Sequence, residues 1–222
     1  MNIKRIGVGE DLNLQKIIKK RVLHRNAFLI TKIKNKEILD IGCIGHKLEN
    51  FNSENSLHNF LKNNSKKVLG MDYMRKEVNI LKSKGHNIVY GNAESFKLKS
   101  KFDVIIAGEL IEHLNNPGEF LLSAKNSLTK NGSIIITTPN AFSLRNIVFS
   151  ILLVDPPVNE EHTMYFDPMT LKRLANNNGL KIHDSAYTFI PTIKFLLYIE
   201  YLISFIKLSF APTIIFELKS TS

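Results

Sequence analysis

Short apolar runs recur along the chain, each closed by a polar, acidic or glycine-bearing turn. Residues 37 to 41, Lys67 to Asp72, His86 to Tyr90, Phe102 to Gly108 and Ser133 to Thr138 are near-continuous in aliphatic residues, the pattern of strands buried on both faces. The segments between them space their apolar residues three and four apart and read as helices. Alternation of the two predicts an α/β chain with a doubly wound sheet covered by helices on both faces. Helix limits are legible too. Asn116-Pro117-Gly118-Glu119 offers an N-cap, a proline at the first helical position and an acid at the third. Asp167-Pro168 opens another helix the same way, and Asn178-Gly179 closes it with residues that tolerate left-handed geometry. Leu180 to Phe189 then reads as a sixth strand, and Ala211 to Lys219 is rich enough in β-formers for a seventh. Residues 1–36 form a basic helical segment ahead of one domain, 37–222.

Between the last two strands lies Pro191 to Ser209, an apolar helical insertion (191–209) interrupted by Lys194, Glu200 and Lys207. Its uninterrupted apolar stretches fall short of the roughly 20 residues a membrane span requires. Glu200, Ser204 and Lys207 fall on one helical face and leave most of the circumference apolar, so the helix wants a partner surface. A lid over an acceptor, a homodimer contact and an anionic membrane surface are the three candidates. The chain has 222 residues and a net charge of +10, with basic residues early, at Lys16, Lys19, Lys20, Arg21, Arg25, Lys32, Lys34 and Lys36. A solvated helix face is the preferred reading of that cluster, ahead of a polyanion site. The lone cysteine, Cys43, excludes an internal disulfide and fits a reducing cytoplasm, with attachment at the inner membrane surface as a variant. No uninterrupted apolar core of an export signal is expected at the N-terminus.

Chemistry gathers at the strand ends. In Glu37-Ile-Leu-Asp-Ile-Gly-Cys-Ile-Gly45 an apolar run meets Asp40 and breaks into a turn with Gly42 and Gly45, where a backbone can approach a nucleotide-type ligand. The second strand ends in Asp72, the position from which a carboxylate takes ribose hydroxyls, although an acid there also serves as a helix cap. The third runs into Gly91-Asn92-Ala93-Glu94, the fourth into Glu109-Leu-Ile-Glu112-His113, and the fifth into Thr138-Pro139-Asn140. With these stations in this order, the chain from about 37 to 219 resembles the class I S-adenosylmethionine-dependent methyltransferases. The resemblance implies a Rossmann-like, seven-stranded, mostly parallel sheet with an antiparallel last strand beside the sixth. It implies Asp40, Gly42 and Gly45 around the methionine end of the cofactor, Asp72 on its ribose, and Asn92 and Ala93 beside its adenine. The family pattern has glycines where Ile44 and His46 stand and an aspartate where Asn92 stands. Either the turn is rearranged or the pocket is tighter near the sulfonium, and a non-catalytic cofactor-binding partner subunit is one alternative.

Glu109, Glu112 and His113 stand at i, i+3 and i+4, so a helix starting just after the fourth strand would put them on one face. This station resembles that of the quinone-pathway O-methyltransferases and of the enzymes that methylate the terminal ribose 2′-hydroxyl of small RNAs. In both groups it goes with a divalent metal, and the RNA group adds a later histidine, for which His162 is the candidate here. Glu109, Glu112, His113 and His162 would form a mixed oxygen and nitrogen set suited to Mn²⁺, Fe²⁺, Co²⁺ or Zn²⁺ more than to Mg²⁺. Without metal, His113 or His162 would be the general base beside Glu112; the plainer alternative has the glutamates stabilising a helix start and His113 packing under a loop. Thr138, Asn140 and Ser143 are candidate acceptor-pocket residues. The expected activity is O-methylation of a small or lipid-linked acceptor, with RNA ribose as the alternative acceptor.

Overall fold

A computed structural model describes residues 17–18, 20–22, 24–45, 47–152, 159–188 and 207–221. The five predicted parallel strands are present as β2 (Glu37–Ile41), β3 (Lys67–Asp72), β4 (Ile88–Tyr90), β5 (Phe102–Gly108) and β6 (Leu128–Pro139). β7 (Leu180–Thr188) and β8 (Thr213–Ser220) follow, and β8 runs antiparallel between β6 and β7. The sheet has eight strands, in the order β1-β7-β8-β6-β5-β2-β3-β4, rather than the expected seven. The extra one is β1 (Lys20–Val22), parallel to β7 at the sheet edge.

That edge strand lies within the segment 1–36 expected to be basic and helical: among the described residues, helix begins with α1 (Arg25–Ile33). Charge fixes the strand in place. The Lys20 ammonium lies 2.6 Å from Asp184 of β7, and Lys32 of α1 bridges Asp184 at 2.9 Å and Glu217 of β8 at 2.7 Å. Two of the lysines assigned to a solvated face therefore tie the N-terminal segment to the sheet. The expected insertion at 191–209, with its lid, homodimer and membrane readings, lies outside the described residues except at its end, where Leu208–Phe210 forms a 3₁₀ turn.

Strand alternation builds two cores. Leu39, Ile41, Ile105, Ile134, Ile136 and Phe216 face one side, under Phe120 and Leu121 of α5 (Pro117–Asn126) and Leu171 of α7 (Pro168–Asn177). Ile38, Val104, Ile106, Ile135 and Ile215 face the other, under Phe28, Leu29 and Ile33 of α1 and Leu61 of α3 (Leu57–Asn64). The remaining helices are α2 (Leu48–Phe51), α4 (Arg75–Ser83) and α6 (Leu144–Leu152). α7 carries the expected cap: Asp167 accepts from the N–H groups of Met169 and Thr170, while Thr170 Oγ1 accepts from the Asp167 N–H. Asn116 does not cap α5 with its side chain; its N–H and Nδ2 donate to Glu94, tying the loop after β4 to the helix start.

Glu217 is almost fully buried, so removing its cation leaves a carboxylate uncompensated. Lys32→Met should lower unfolding free energy in urea by roughly 2 kcal/mol, less than a fully buried pair would lose. Adding Glu217→Gln should recover part of that loss.

Candidate active site

Strand order reverses between β2 and β5, since β3 and β4 continue to one side and β6 to the other. In sheets of this kind the crevice at such a reversal, beyond the strands' carboxyl ends, is where ligands bind. The turn after β2, the ends of β3 and β4, and the loops after β5 and β6 all open at that end.

In the turn after β2, Gly42 and Gly45 hold φ of +74° and +67°, values L side chains rarely adopt. A Cβ on Gly42 would also come 3.1 Å from Leu110 of the loop after β5, so this glycine answers a spatial demand as well. Ile44, which replaces a family glycine, is 2% exposed and packs with Phe51, Val78, Leu81 and Ile88. Its side chain is accommodated by that small core. His46 lies outside the described residues.

Asp72 is buried; its carboxylate accepts from the Ile44 N–H at 3.0 Å and the Met74 N–H at 3.1 Å. Burial raises its pKa above the usual carboxylate range, against those donors. The carboxylate thus joins the β2 turn to the start of α4, partly the capping role foreseen, and keeps lone pairs for a further donor. Asn92 Oδ1 accepts from the Glu94 N–H at 2.9 Å, and Ala93 beside it is nearly buried. Glu94 in turn accepts from the Asn115 and Asn116 N–H groups, which lower its pKa.

Two groups at this end escaped sequence reasoning. Asp40, 1% exposed, pairs through Oδ2 with Nδ1 of His58 on α3 at 2.9 Å, and the His58 ring stacks on Phe51. Arg25 was read as part of a solvated face, but it is half-buried between Glu109 and Asp40, and a Cβ on Gly108 would lie 3.4 Å from its Nη1. Burial lowers the Arg25 pKa and the two acids oppose that. Nothing in the local pattern marks either residue, because both meet the site through helix packing. Asp40, Cys43 and His58 also have donor atoms within 4.8 Å of one another. The Asp40–His58 bond accounts for that proximity, and burial pushes the Cys43 thiol well above its ordinary range, consistent with a small packing residue.

The loop after β5 departs from the single helical face expected of it. Glu109 takes φ +51° and its N–H donates to the Thr137 carbonyl at 3.0 Å, so the turn of helix starts only at Ile111 and ends at His113. Glu109 consequently leaves the other two: its carboxyl is buried toward Thr137 and Arg25, with its pKa raised by burial. The structure brings together Glu112, His113 and His162, whose donor atoms all lie within 4.8 Å; Glu109 is not in this group. The His113 and His162 rings meet edge to face with centroids 4.6 Å apart, and Tyr165 flanks His162 at 5.9 Å.

Hydrogen bonds deliver His162 across the gap in sequence. The Thr163 and Met164 N–H groups donate to the Glu112 carbonyl at 2.9 and 3.3 Å, and Thr163 Oγ1 sits 2.8 Å from the Leu114 carbonyl. The Glu112 side chain is 1% exposed and accepts at Oε2 from Thr138 Oγ1 at 2.9 Å. Burial first, then the nearby Glu109, push its pKa up to about 8. Its other oxygen, Oε1, is buried with no hydrogen-bond partner among the described residues. A carboxylate with one unpartnered oxygen and a ligand atom within 4.8 Å of those of two imidazoles fits a divalent cation of the Mn²⁺ to Zn²⁺ type. Thr138, expected to line the acceptor pocket, is instead buried against Glu112. Asn140 and Ser143 do line a cavity of about 370 Å³, together with Arg145, Asn146, Asn159, His162 and Tyr165.

The chain matches a family model described as a methyltransferase domain over residues 13–185. It is similar to the ubiquinone biosynthesis O-methyltransferase of Pelagibacter ubique (strain HTCC1062), with 32% identity over 162 residues, covering 68% of this chain and 63% of that one. The protein of the same name from Rickettsia canadensis (strain McKiel) is 27% identical over 184 residues, covering 78% of this chain and 72% of its own. The chain thus spans less than two thirds of the length of the Pelagibacter relative. Among solved structures, a possible histamine N-methyltransferase from Thermotoga maritima superimposes with a TM-score of 0.61 at 15% identity, covering 88% of this chain and 87% of that one. An S-adenosylmethionine-dependent methyltransferase from Clostridium acetobutylicum ATCC 824 gives 0.57 at 11% identity, covering 88% of each chain. These two likenesses concern the fold alone. With the family model spanning the glycine turn, the strand-end acids and the Glu112–His162 cluster, the chain belongs to the methyltransferase-domain family.

Proposed function

We propose that the protein transfers a methyl group from S-adenosylmethionine to a hydroxyl oxygen of a small acceptor. The observation that carries this reading is the meeting of Glu112, His113 and His162, the last of which lines a cavity of about 370 Å³, at the same end of the sheet as the glycine turn. The relatives named as ubiquinone biosynthesis O-methyltransferases support oxygen as the methylated atom. When bound, the cofactor supplies a methyl group already activated on a sulfonium, so the protein's task is mainly to align it with the acceptor oxygen. Asp40, Gly42 and Gly45 would border the methionine end, with the Arg25 cation available to its carboxylate. Asp72 would accept from the ribose, with Asn92 and Ala93 at the adenine.

On the acceptor side, His113 or His162 takes the hydroxyl proton as general base. Glu112, whose pKa burial raises, keeps His162 placed through its carbonyl bonds to the 163–164 backbone. Glu112, His113 and His162 would also hold a divalent cation, which when bound lowers the pKa of a coordinated hydroxyl. RNA ribose remains the second reading, favoured by the approach of His162 to His113. The third, a catalytically silent partner subunit, rested on Ile44 and His46; the burial of Ile44 in a core of its own weakens it.

Calorimetry should show the protein binding S-adenosylmethionine and its demethylated product. Asp72→Asn should weaken both about tenfold through loss of a charged acceptor. A folded protein that binds neither would end the methyltransferase reading. For the metal, titration with Mn²⁺ or Zn²⁺ alone should reveal one site lost in His162→Ala and in Glu112→Gln and retained in Glu109→Gln. Retention in the first two variants would remove the cation from the site.

A further inference from the structure

We propose that His58 is a positioning residue for cofactor binding, holding the Asp40 carboxylate in the orientation that receives the α-ammonium group at the methionine end of S-adenosylmethionine. The proposal rests on the reading of Asp40 as a wall of that end of the site. Asp40 lies beside the end of β2 and is 1% exposed; among the described residues its side chain has one hydrogen-bond partner, Nδ1 of His58 at 2.9 Å. With Asp40 ionised, Nδ1 is the donor, so Oδ2 is engaged and Oδ1 is left for a further donor. Arg25, the nearby cation, acts on Asp40 through its field.

The fold holds the imidazole to this contact from several sides. His58 is the second residue of α3, whose N-cap Ser56 accepts from the Asn59 N–H at 3.1 Å and donates to the Phe51 carbonyl at 2.8 Å. That cap ties the helix start to Phe51, and the Phe51 and His58 rings stack with centroids 4.6 Å apart, 28° from parallel. On the strand side Gly70 of β3 is the register partner of Asp40. A Cβ there would come 3.1 Å from Cε1 of His58 and 2.8 Å from Sγ of Cys43; the Gly70 backbone is not left-handed, so room for these side chains is the demand it meets. Leu57 sets the helix start against β5, since a Cβ on Gly108 would lie 2.7 Å from its Cδ2. A buried imidazole and a buried carboxylate that satisfy each other would stabilise any core. This pair stands directly before the Gly42 turn, within the field of Arg25, and so presents a charge to the cofactor crevice. Without the ring N–H the carboxylate, left in a dry site, takes up a proton or turns away, and the acceptor for the ammonium is lost.

The test measures, by calorimetry on the full chain, binding of S-adenosylhomocysteine, which carries the amino-acid end, and of 5′-methylthioadenosine, which lacks it. His58→Leu should weaken the first about tenfold, the loss expected of a charge-assisted hydrogen bond, and leave the second unchanged. His58→Asn, whose amide nitrogen can stand where Nδ1 stands, should restore most of the lost affinity. In an Asp40→Asn background, His58→Leu should have no further effect on S-adenosylhomocysteine. A parallel fall for both ligands would assign His58 to stability alone and overturn the proposal. Unchanged affinity for S-adenosylhomocysteine, or full additivity of the two substitutions, would do the same. If His58→Leu does not fold, the unaltered protein still decides. Its His58 Nδ1 resonance in nitrogen-15 NMR should move on adding S-adenosylhomocysteine and stay in place with 5′-methylthioadenosine, and an equal response to the two overturns the proposal. An unaltered, folded protein that binds neither ligand would sink the cofactor reading and the proposal with it, whereas binding of both with no dependence on His58 would sink the positioning role alone.

Discussion

A sheet buried on both faces leaves nowhere but its ends for polar chemistry, and the reversal of strand order between β2 and β5 decides where at the carboxyl end a crevice opens. Everything functional in this chain follows from that constraint. Leu39 and Ile38, or Ile105 and Ile106, are fixed by the cores on either side, so variation is confined to the turns that follow them. The acids Asp40 and Asp72 come from the ends of two strands and Glu109 and Glu112 from the loop after a third, and they converge because the strands do.

Gathering four buried or half-buried acids at one end is electrostatically costly, and each is compensated differently. Asp40 takes a histidine, Asp72 takes two backbone N–H groups, Glu109 takes the Thr137 hydroxyl and then the field of Arg25, and Glu112 takes a threonine hydroxyl while its pKa rises. Glu109 and Glu112 each keep one buried oxygen without a partner among the described residues, and only Glu112 does so beside two imidazoles.

Much of this was legible in the sequence. β2 to β6 and their terminal residues could be read because aliphatic runs closed by glycine or acid have few other uses. β1 could not: Lys20-Arg-Val22 has no strand signature of its own and is held by ion pairs to residues far along the chain. Glu109 was misplaced because spacing assumes regular helix, while its left-handed φ moves the helix start to Ile111. His162 was named from resemblance, yet the reason it reaches His113 lies in Thr163 and Met164 bonding to the Glu112 carbonyl, which no residue pattern announces. Arg25 and His58 likewise reach the site through packing of helices whose sequences look ordinary.

Ile44 carries a more general lesson about motif departures. The family pattern counts glycines, but the backbone asks for two separate things: positive φ at Gly42 and Gly45, and open space at Gly42 against Leu110. Neither demand falls on residue 44. A large side chain is admissible there because the turn directs it into the cluster of Phe51, Val78, Leu81 and Ile88. The position is then held from both sides, by burial of its side chain and by donation of its N–H to Asp72. An isoleucine there therefore helps to anchor the turn to the acid that would receive the ribose, and glycine at that position would give up this packing without relieving any strain the structure records.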